Sequence, residues 1–494
     1  MSFKKNLIQA GFRFHRLLIW GALLALLVFV VSGSMHLLLT WTGPQSMVQR
    51  PPQQFFSQED LHAVVPLLQQ HGIESADIVK LVPSADGPLL QVSAGVDTAR
   101  RYFDLARGIE LKDQDEKQAR WLAQYYLGSN EHAIESVRFV TEFDREYSWV
   151  NRLLPVYRLQ FSGDDALTLF VHTETLALAS ITNNWKRQVQ WLFQQLHTFA
   201  WLDDVRHLRV ILMALLLVCV LGMVTSGMAL LYALKRKRES TTVRRGHRIV
   251  AYVVVVPLLG FAVSGFYHLI YSEYVAPLRD FNIAQPLVLP RDATALESGP
   301  DLLSGPLHGV NLLAVGGELY FRASLAQSKV SAGEHDHHSV REQRFRGVPR
   351  EQGSVYWPAV GGNVVDMNDA QAARRLAMDH LGLDADQVLS VAAITHFGPG
   401  YDFRNKRLPV WKVSVDSQPW DELFIDVASG LLVDRSSTGM RAEGLSFSIL
   451  HKWNFLAMPL GRQNRDALLA MMLGLVLLLA GAGVFLHAKR QRKG

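Results

Sequence analysis

Cysteine is almost absent from this chain of 494 residues, because Cys219 is the only one. One cysteine excludes an intramolecular disulfide and a metal site built from several thiolates. The sequence also lacks the nucleotide-binding motifs GxGxxG and GxxxxGKS/T, and the HExxH and GxSxG motifs of peptidases and esterases. It therefore contains no recognisable flavin, nicotinamide or nucleotide domain, and it gives no support for hydrolysis.

What the sequence has instead is four long apolar runs, in a composition that is 49% hydrophobic. Each run exceeds the roughly 20 residues that a helix needs to cross the hydrocarbon core of a membrane. The predicted spans are residues 17–39, 210–234, 249–271 and 467–488. They divide the chain into a first segment with its span (1–42), a long connection (43–200), a second span (201–234), a link (235–248), a third span (249–271), a second long connection (272–460), a fourth span (461–488) and a basic tail (489–494).

Lysine and arginine are concentrated in the short segments beside these spans. By the positive-inside rule, such segments lie in the cytoplasm, so both termini are predicted to be cytoplasmic and both long connections to lie outside. The net charge of +5 mainly reflects this anchoring to membrane lipid, and it predicts no nucleic-acid partner. The basic residues are Lys4, Lys5, Arg13, Arg16, Lys235, Arg236, Lys237, Arg238, Arg244, Arg245, Arg248, Lys489, Arg490, Arg492 and Lys493.

Three histidines of the first half recur in the second half. Two of them recur 232 positions later and the third recurs 254 positions later. Their local motifs recur with them: HR, VSGxxH, and LH with an aromatic residue two positions on. Imidazole is costly in lipid, so six repeated copies predict a shared function. The matched pairs are His15 with His247, His36 with His268, and His197 with His451.

The repeat extends well beyond the histidines. An offset of 254 relates residues 119–128 to 373–382 and residues 147–156 to 401–410. The chain therefore consists of two copies of one unit. With two further residues inserted, Arg206, Arg209 and Gly227 correspond to Arg462, Arg465 and Gly483.

The two long connections are predicted to fold as small domains in which helices pack on β-sheets. In the second connection, the patterns predict a helix at 366–381 and strands at 388–395, 408–415, 422–427 and 431–434. The first connection repeats this order over residues 116–172, and it adds an earlier helix at 58–70 and strands around 90–105.

These motifs resemble those of the PepSY-associated transmembrane family. The resemblance rests on the segment FIDVASGLLV and on spans carrying HR, VSGxxH and LH, and it covers nearly the whole chain. It implies an α-helical membrane bundle of four transmembrane helices in two tandem repeats, with α+β PepSY-like periplasmic domains. Some members of the family resemble bacterial inner-membrane reductases that act on siderophore-bound iron and carry haem b. The resemblance therefore implies haem b, a ferric siderophore as substrate, and the bacterial inner membrane as location.

The spacing of the histidines also favours haem. His15 and His36 are 21 residues apart, which is about 32 Å along a helix and within about 60° of the same face. If an axis along the membrane normal relates the halves, an inner layer holds His15 and His247, and an outer layer holds the other four. Two opposed neutral imidazoles make an electron-transferring haem site. We expect two haem b groups, with ligands drawn from His15, His36, His197, His247, His268 and His451.

Alternatives stay open at this stage. The outer layer is compatible with one haem between His36 and His268, or with two sites that each pair a span histidine with His197 or His451. A proton relay, or interfacial side chains that reach the headgroups, would use the same residues. His207 and His487 have no repeat partner and are predicted to be structural.

Small residues in the spans have two possible uses. They either leave room for a flat macrocycle or allow close packing of helices. They are Ser32-Gly33, Ser226-Gly227, Ser264-Gly265, and Gly481 with Gly483.

The second long connection contains a further histidine cluster, Glu334-His335-Asp336-His337-His338. His335, His337 and His338 are weak candidates for zinc or copper ligands, and a solvated loop is the ordinary alternative. Other residues of this connection could meet an anionic iron chelate or form ordinary surface: Arg341, Arg344, Arg346, Tyr356 and Trp357.

Three functions follow from these patterns. The first is haem b electron transfer to a ferric siderophore or another outer acceptor, with electrons supplied by membrane quinol or a cytoplasmic partner. The second is a non-catalytic membrane sensor or binding protein that regulates a protease or a transport partner. The third is a proton-coupled transporter. No catalytic residue is assigned.

Overall fold

The computed structural model describes residues 2–95, 97–128, 133–234, 241–275, 283–289, 307–325, 347–348, 353–360, 364–398 and 400–492. The α-helices, numbered in chain order, are α1 (Ser2–Leu17), α2 (Ile19–Thr42), α3 (Gln58–Gln70), α4 (Gln114–Leu127), α5 (Asn184–His197), α6 (Arg206–Ala233), α7 (Thr242–Ile270), α8 (Asp369–Leu381), α9 (Thr438–Ser446), α10 (Ala457–Leu460) and α11 (Arg462–Gln491).

The β-strands are numbered in the same way. They are β1 (Ser75–Ala76), β2 (Ile78–Val82), β3 (Leu89–Ser93), β4 (Arg101–Asp104), β5 (Ile109–Glu110), β6 (Ile134–Val140), β7 (Val156–Phe161), β8 (Thr168–His172), β9 (Ala177–Thr182), β10 (Leu287–Val288), β11 (Leu307–Val315), β12 (Glu318–Leu325), β13 (Ser354–Pro358), β14 (Val388–Ile394), β15 (Val410–Val415), β16 (Glu422–Asp426) and β17 (Leu431–Ser436).

Four of the described helical stretches are long and apolar enough to cross a membrane. They are Ile19–Thr42, Ala200–Ala233, Thr242–Val275 and Arg462–Gln491. Each contains one of the predicted apolar runs, apart from Leu17 and Leu18 of the first run and Leu234 of the second. The chain is therefore a multi-pass membrane protein.

The first compact unit comprises residues 1–43, 185–278 and 439–494, and it contains all four of these helices. α6 packs on α2 and α7, and α11 packs on α7 and α2, so the four helices close a ring. Small and branched apolar side chains fill its core, with Ala25, Val254 and Val476 almost fully buried. α2 and α6 belong to the first half of the chain, and α7 and α11 belong to the second. The two interfaces between the halves, α6 with α7 and α11 with α2, therefore each join one helix from either half.

The second compact unit comprises residues 44–184 and 279–438, and it contains the β-sheets. One sheet has the order β13-β12-β11-β2-β3-β4-β5, in which β11 and β2 pair antiparallel. Strands from both long connections therefore share this sheet. The other two large sheets, β6-β7-β8-β9 and β14-β15-β16-β17, are related by the 254-residue offset strand for strand.

The secondary structure predicted for the two connections is confirmed. The helix predicted at 58–70 is α3, which starts at a capping box made by Ser57 and Asp60. The helix predicted at 366–381 is α8, which starts at a capping box made by Asn368 and Gln371. The four strands predicted after it are β14 to β17.

Candidate functional site

All six repeated histidines lie in the first compact unit. His15 is in α1, His36 is in α2, and His247 and His268 are in α7. His197 is the last residue of α5, and His451 ends the helical turn Phe447–His451 that follows α9. We call His36, His197, His268 and His451 the four-histidine group, and His15 and His247 the two-histidine group.

The four-histidine group brings both halves of the chain together. The ring centroids of His197 and His451 are 6.5 Å apart, and the ring planes are nearly perpendicular at 80°. His197 also interacts electrostatically with His36 and His268, and His451 does so with His268. The side chains predicted for the outer layer are therefore neighbours in space.

A phenylalanine contacts both histidines of each half. The Phe193 ring centroid is 6.0 Å from that of His36 and 4.8 Å from that of His197. In the second half, the Phe447 ring stacks on His268 at 4.4 Å and on His451 at 4.5 Å. The span histidine and the loop histidine of each half therefore share an aromatic neighbour.

A second aromatic ring also contacts each of His197 and His451. Phe29 contacts the His197 ring edge to face at 5.7 Å, and Phe261 contacts the His451 ring in the same way at 5.9 Å. Each of these phenylalanines stacks on a residue in the left-handed backbone region, which is uncommon outside glycine. Those residues are Phe199 (φ 54°) and Trp453 (φ 51°), which are repeat partners.

A serine hydroxyl lies beside Nδ1 of each of these imidazoles. The Ser32 hydroxyl donates to the Val28 carbonyl and is 2.8 Å from His197 Nδ1, so its oxygen is placed to accept when Nδ1 carries the proton. The Ser264 hydroxyl donates to the Gly260 carbonyl and is 3.3 Å from His451 Nδ1. A ring that donates from Nδ1 has its lone pair on Nε2, which is the form that binds a metal.

The two-histidine group repeats this arrangement in one half only. The Ser226 hydroxyl donates to the Met223 carbonyl and lies 3.2 Å from His15 Nδ1. The matching residue beside His247 is Ala482, and His247 Nδ1 is buried without a partner of hydrogen-bond geometry among the described atoms. The charge of a protonated His247 is close enough to affect His15, and the inner layer stays a prediction.

Each of four imidazoles lies against a glycine of a neighbouring helix. A Cβ atom at Gly33 would lie 3.9 Å from the His197 ring, and one at Gly265 would lie 3.7 Å from the His451 ring. The corresponding distances are 3.8 Å from Gly227 to His15 and 3.3 Å from Gly483 to His247. Three of these glycines follow the serine that lies beside the same histidine, and the fourth, Gly483, follows Ala482.

The spacing of one histidine pair is compatible with haem ligation. Two imidazoles that share a metal, with about 2 Å for each metal–nitrogen bond, have ring centroids on the order of 6 Å apart. The spacing of His197 and His451 matches this value, and their Nδ1 atoms are held by serines. This pairing was not among those predicted from the sequence. Among the described residues, no three histidine, cysteine, aspartate or glutamate side chains are grouped to hold a bare metal ion.

Glu443 is a member of the site that the sequence analysis did not predict. Its carboxylate lies 2.5 Å from His268 Nδ1. The repeat could not reveal it, because the matching residue in the first half is Val189. The supporting phenylalanines were missed for another reason, since aromatic residues in apolar spans are ordinary there.

Other predicted residues have different surroundings. His207 stacks on Tyr274, and His487 lies against Trp20 and Gln491, so these two histidines have local partners. The predicted cluster His335, His337 and His338 lies outside the described residues, as do Arg341, Arg344 and Arg346.

The prediction that Tyr356 and Trp357 belong to the surface is wrong. Both residues are 0% exposed on strand β13. The Tyr356 hydroxyl donates to Asp369, and Trp357 stacks on Phe321 in the core of the shared sheet.

No protein-family model matches the chain, and no curated protein matches it. The resemblance to the PepSY-associated transmembrane family therefore remains a prediction.

Proposed function

We propose that this membrane protein binds haem b between its helices and passes electrons to a ferric siderophore or another acceptor on the outer side of a bacterial inner membrane. The observation that carries the proposal is the repeated serine–histidine arrangement. In both halves a span serine, already bonded to its own helix, lies within hydrogen-bond distance of Nδ1 of a histidine from another segment, an arrangement that leaves Nε2 for a metal. A purely interfacial histidine would not need its Nε2 lone pair kept free.

The chain's own residues do three things in this proposal. His197 and His451, or another pair of the four-histidine group, would hold one iron, and His15 and His247 would hold a second. Apolar side chains of the bundle core exclude water around them. Haem iron with both axial positions filled by imidazole exchanges single electrons rather than binding oxygen.

The placement of the two groups along the helices suits transfer across a membrane. His15 and His36 are separated by 21 residues of α1 and α2, about 32 Å at 1.5 Å per residue. That length is comparable to the hydrocarbon thickness of a bilayer. We propose that electrons enter near His15 and His247 from quinol or a cytoplasmic partner, and leave near the four-histidine group.

The orientation and the loop domains belong to the same proposal. The basic flanks favour cytoplasmic termini. The repeated module of one helix and four strands, α4 with β6 to β9 and α8 with β14 to β17, supports PepSY-like domains in the long connections.

A pyridine haemochrome assay on the detergent-purified full chain tests the proposal. We expect a b-type spectrum and a Soret band in the wild type. His197→Ala and His451→Ala should each lose most of one haem, because alanine offers no axial nitrogen. The controls are His207→Ala and His487→Ala, which remove histidines of the same unit outside both groups and should keep the wild-type haem content.

A colourless wild-type protein from haem-replete cells would overturn the proposal and favour a non-catalytic sensor or binding protein. If haem is present, anaerobic mixing of the reduced protein with ferric siderophores tests the acceptor. Reoxidation on mixing supports siderophore reduction, and failure with every chelate in the panel would exclude it in favour of another acceptor.

A further inference from the structure

The two halves of the four-histidine group differ at one carboxylate. Glu443, on α9, is largely buried, and its Oε1 atom lies 2.5 Å from Nδ1 of His268. A carboxylate only accepts hydrogen bonds, so Nδ1 carries the proton and donates it. The lone pair of His268 is then on Nε2.

The first half has no such contact. The residue that matches Glu443 is Val189, which has no polar side-chain atom. The groups that interact electrostatically with His36 include Lys452 and Arg465 as well as Asp466. The repeat partners His36 and His268 therefore have different electrostatic surroundings.

The segment that carries Glu443 also holds the face of the His268 ring. Phe447 follows Glu443 by four residues, and its ring stacks on His268 at a centroid distance of 4.4 Å and an interplanar angle of 26°. The carboxylate holds the edge of the imidazole while the phenyl ring holds its face. Together they leave the ring little freedom to rotate, although 45% of the His268 side chain is exposed.

We propose, on the basis of the haem function above, that Glu443 is a positioning residue for His268. It fixes the ring at the edge of the four-histidine group, against the Phe447 ring that also contacts His451, and it adds a negative charge to the group that would hold the iron of His197 and His451. A nearby negative charge stabilises ferric over ferrous iron, so Glu443 lowers the midpoint potential of that haem.

Redox titration of the purified full chain, with electron paramagnetic resonance of the ferric protein, tests this inference. Glu443→Val copies the first half, and it should raise one midpoint potential by about 59 mV or more, which corresponds to a tenfold change in relative affinity for the two oxidation states. It should also shift one set of ferric low-spin signals and weaken haem retention by about 10-fold.

Glu443→Gln separates charge from shape. Glutamine keeps an oxygen acceptor of the same length, so haem retention should recover while the potential stays raised. The matched control is Glu273→Gln, which removes a glutamate of the same unit whose partners are Arg206 and Arg209. It should leave both potentials unchanged.

The outcomes separate this inference from the proposed function. Haem-loaded Glu443→Gln and Glu443→Val proteins with wild-type potentials and signals would overturn the role of Glu443 and leave haem binding standing. A wild type without haem would overturn the proposed function, and the role of Glu443 would fall with it.

Discussion

At the scale of single residues, hydroxyl groups on neighbouring helices lie beside the imidazoles. Ser32, Ser226 and Ser264 each donate to a carbonyl three or four residues earlier, and each lies within hydrogen-bond distance of a histidine Nδ1. A buried imidazole without such a partner loses the energy of the missing bond. At His247, Ala482 stands in place of the serine, and the nearby Leu479 carbonyl lacks good hydrogen-bond geometry to the ring.

Ala482→Ser should therefore stabilise the protein. The new hydroxyl can donate to its own helix and accept from His247 Nδ1, which should add about 1 kcal/mol to the free energy of unfolding. Ser226→Ala should cost about 1 kcal/mol, because it removes the hydroxyl beside His15 and leaves the Met223 carbonyl as its neighbour. Thermal unfolding of the full chain in detergent measures both. Ala488→Ser, on an exposed position of the same helix, is the control, and equal midpoints for all four proteins would contradict the argument.

At the scale of elements, the distance between helices is set where a glycine faces an imidazole. α11 approaches His247 more closely than α6 approaches His15, since a Cβ at Gly483 would lie 3.3 Å from its ring and one at Gly227 would lie 3.8 Å away. The second value is an ordinary contact and the first is tight. Packed interiors resist the insertion of even one methyl group where space is short.

The repeat supplies a matched pair of variants for this difference. Gly483→Ala should press on the His247 ring and lower the free energy of unfolding by about 1–3 kcal/mol. Gly227→Ala should be close to neutral, because its methyl group meets His15 at normal distance. Unfolding midpoints and haem content of the two full-length variants measure whether Gly483→Ala costs more than Gly227→Ala. A larger loss in Gly227→Ala would show that the helix spacing is not what limits this site.

At the scale of the whole molecule, the duplication is asymmetric in its buried charges as well. In the second compact unit, Arg407 of the second repeat forms a buried ion pair with Glu174 of the first repeat. Arg152 of the first repeat pairs with Asp434 of the second at 2.8 Å. Removing one member of such a pair leaves an uncompensated buried charge, so these contacts hold the two copies in one register.

His172 makes the stability of this unit depend on pH. Burial, and then the Arg100 guanidinium that donates to Nε2 at 2.9 Å, hold the His172 pKa well below its ordinary value of 6.5. The unfolded chain therefore takes up the proton first as pH falls. Stability is complete above about pH 6.5 and should fall by about 1.4 kcal/mol for each pH unit below it.

Unfolding of the full chain in detergent between pH 7.5 and 5.5 measures this effect. The wild-type midpoint should decrease across the range, and His172→Gln should flatten the profile because glutamine does not titrate. His396→Gln, at an exposed position, should keep the wild-type slope. A His172→Gln profile parallel to the wild type would assign the pH dependence to other groups.

Much of the fold could be predicted because it depends on short-range patterns. Apolar runs predicted the four spans. α3 begins and ends at the predicted residues, and its start is fixed by the local capping box of Ser57 and Asp60. The histidines were found because duplication marks residues that both copies retain. Glu443 could not be found in this way, since the matching position holds Val189.

The amino-acid sequence by itself determined the spans, the repeated modules and the set of six histidines, because hydrophobic periodicity and duplication can be read without knowing which residues meet in space. Only the tertiary structure decided that Ser32 contacts His197, 165 residues away, and that His197 lies beside His451. It also decided that β2 and β11 share a sheet. These contacts depend on how helices and strands from distant segments pack, and local sequence patterns do not carry that information.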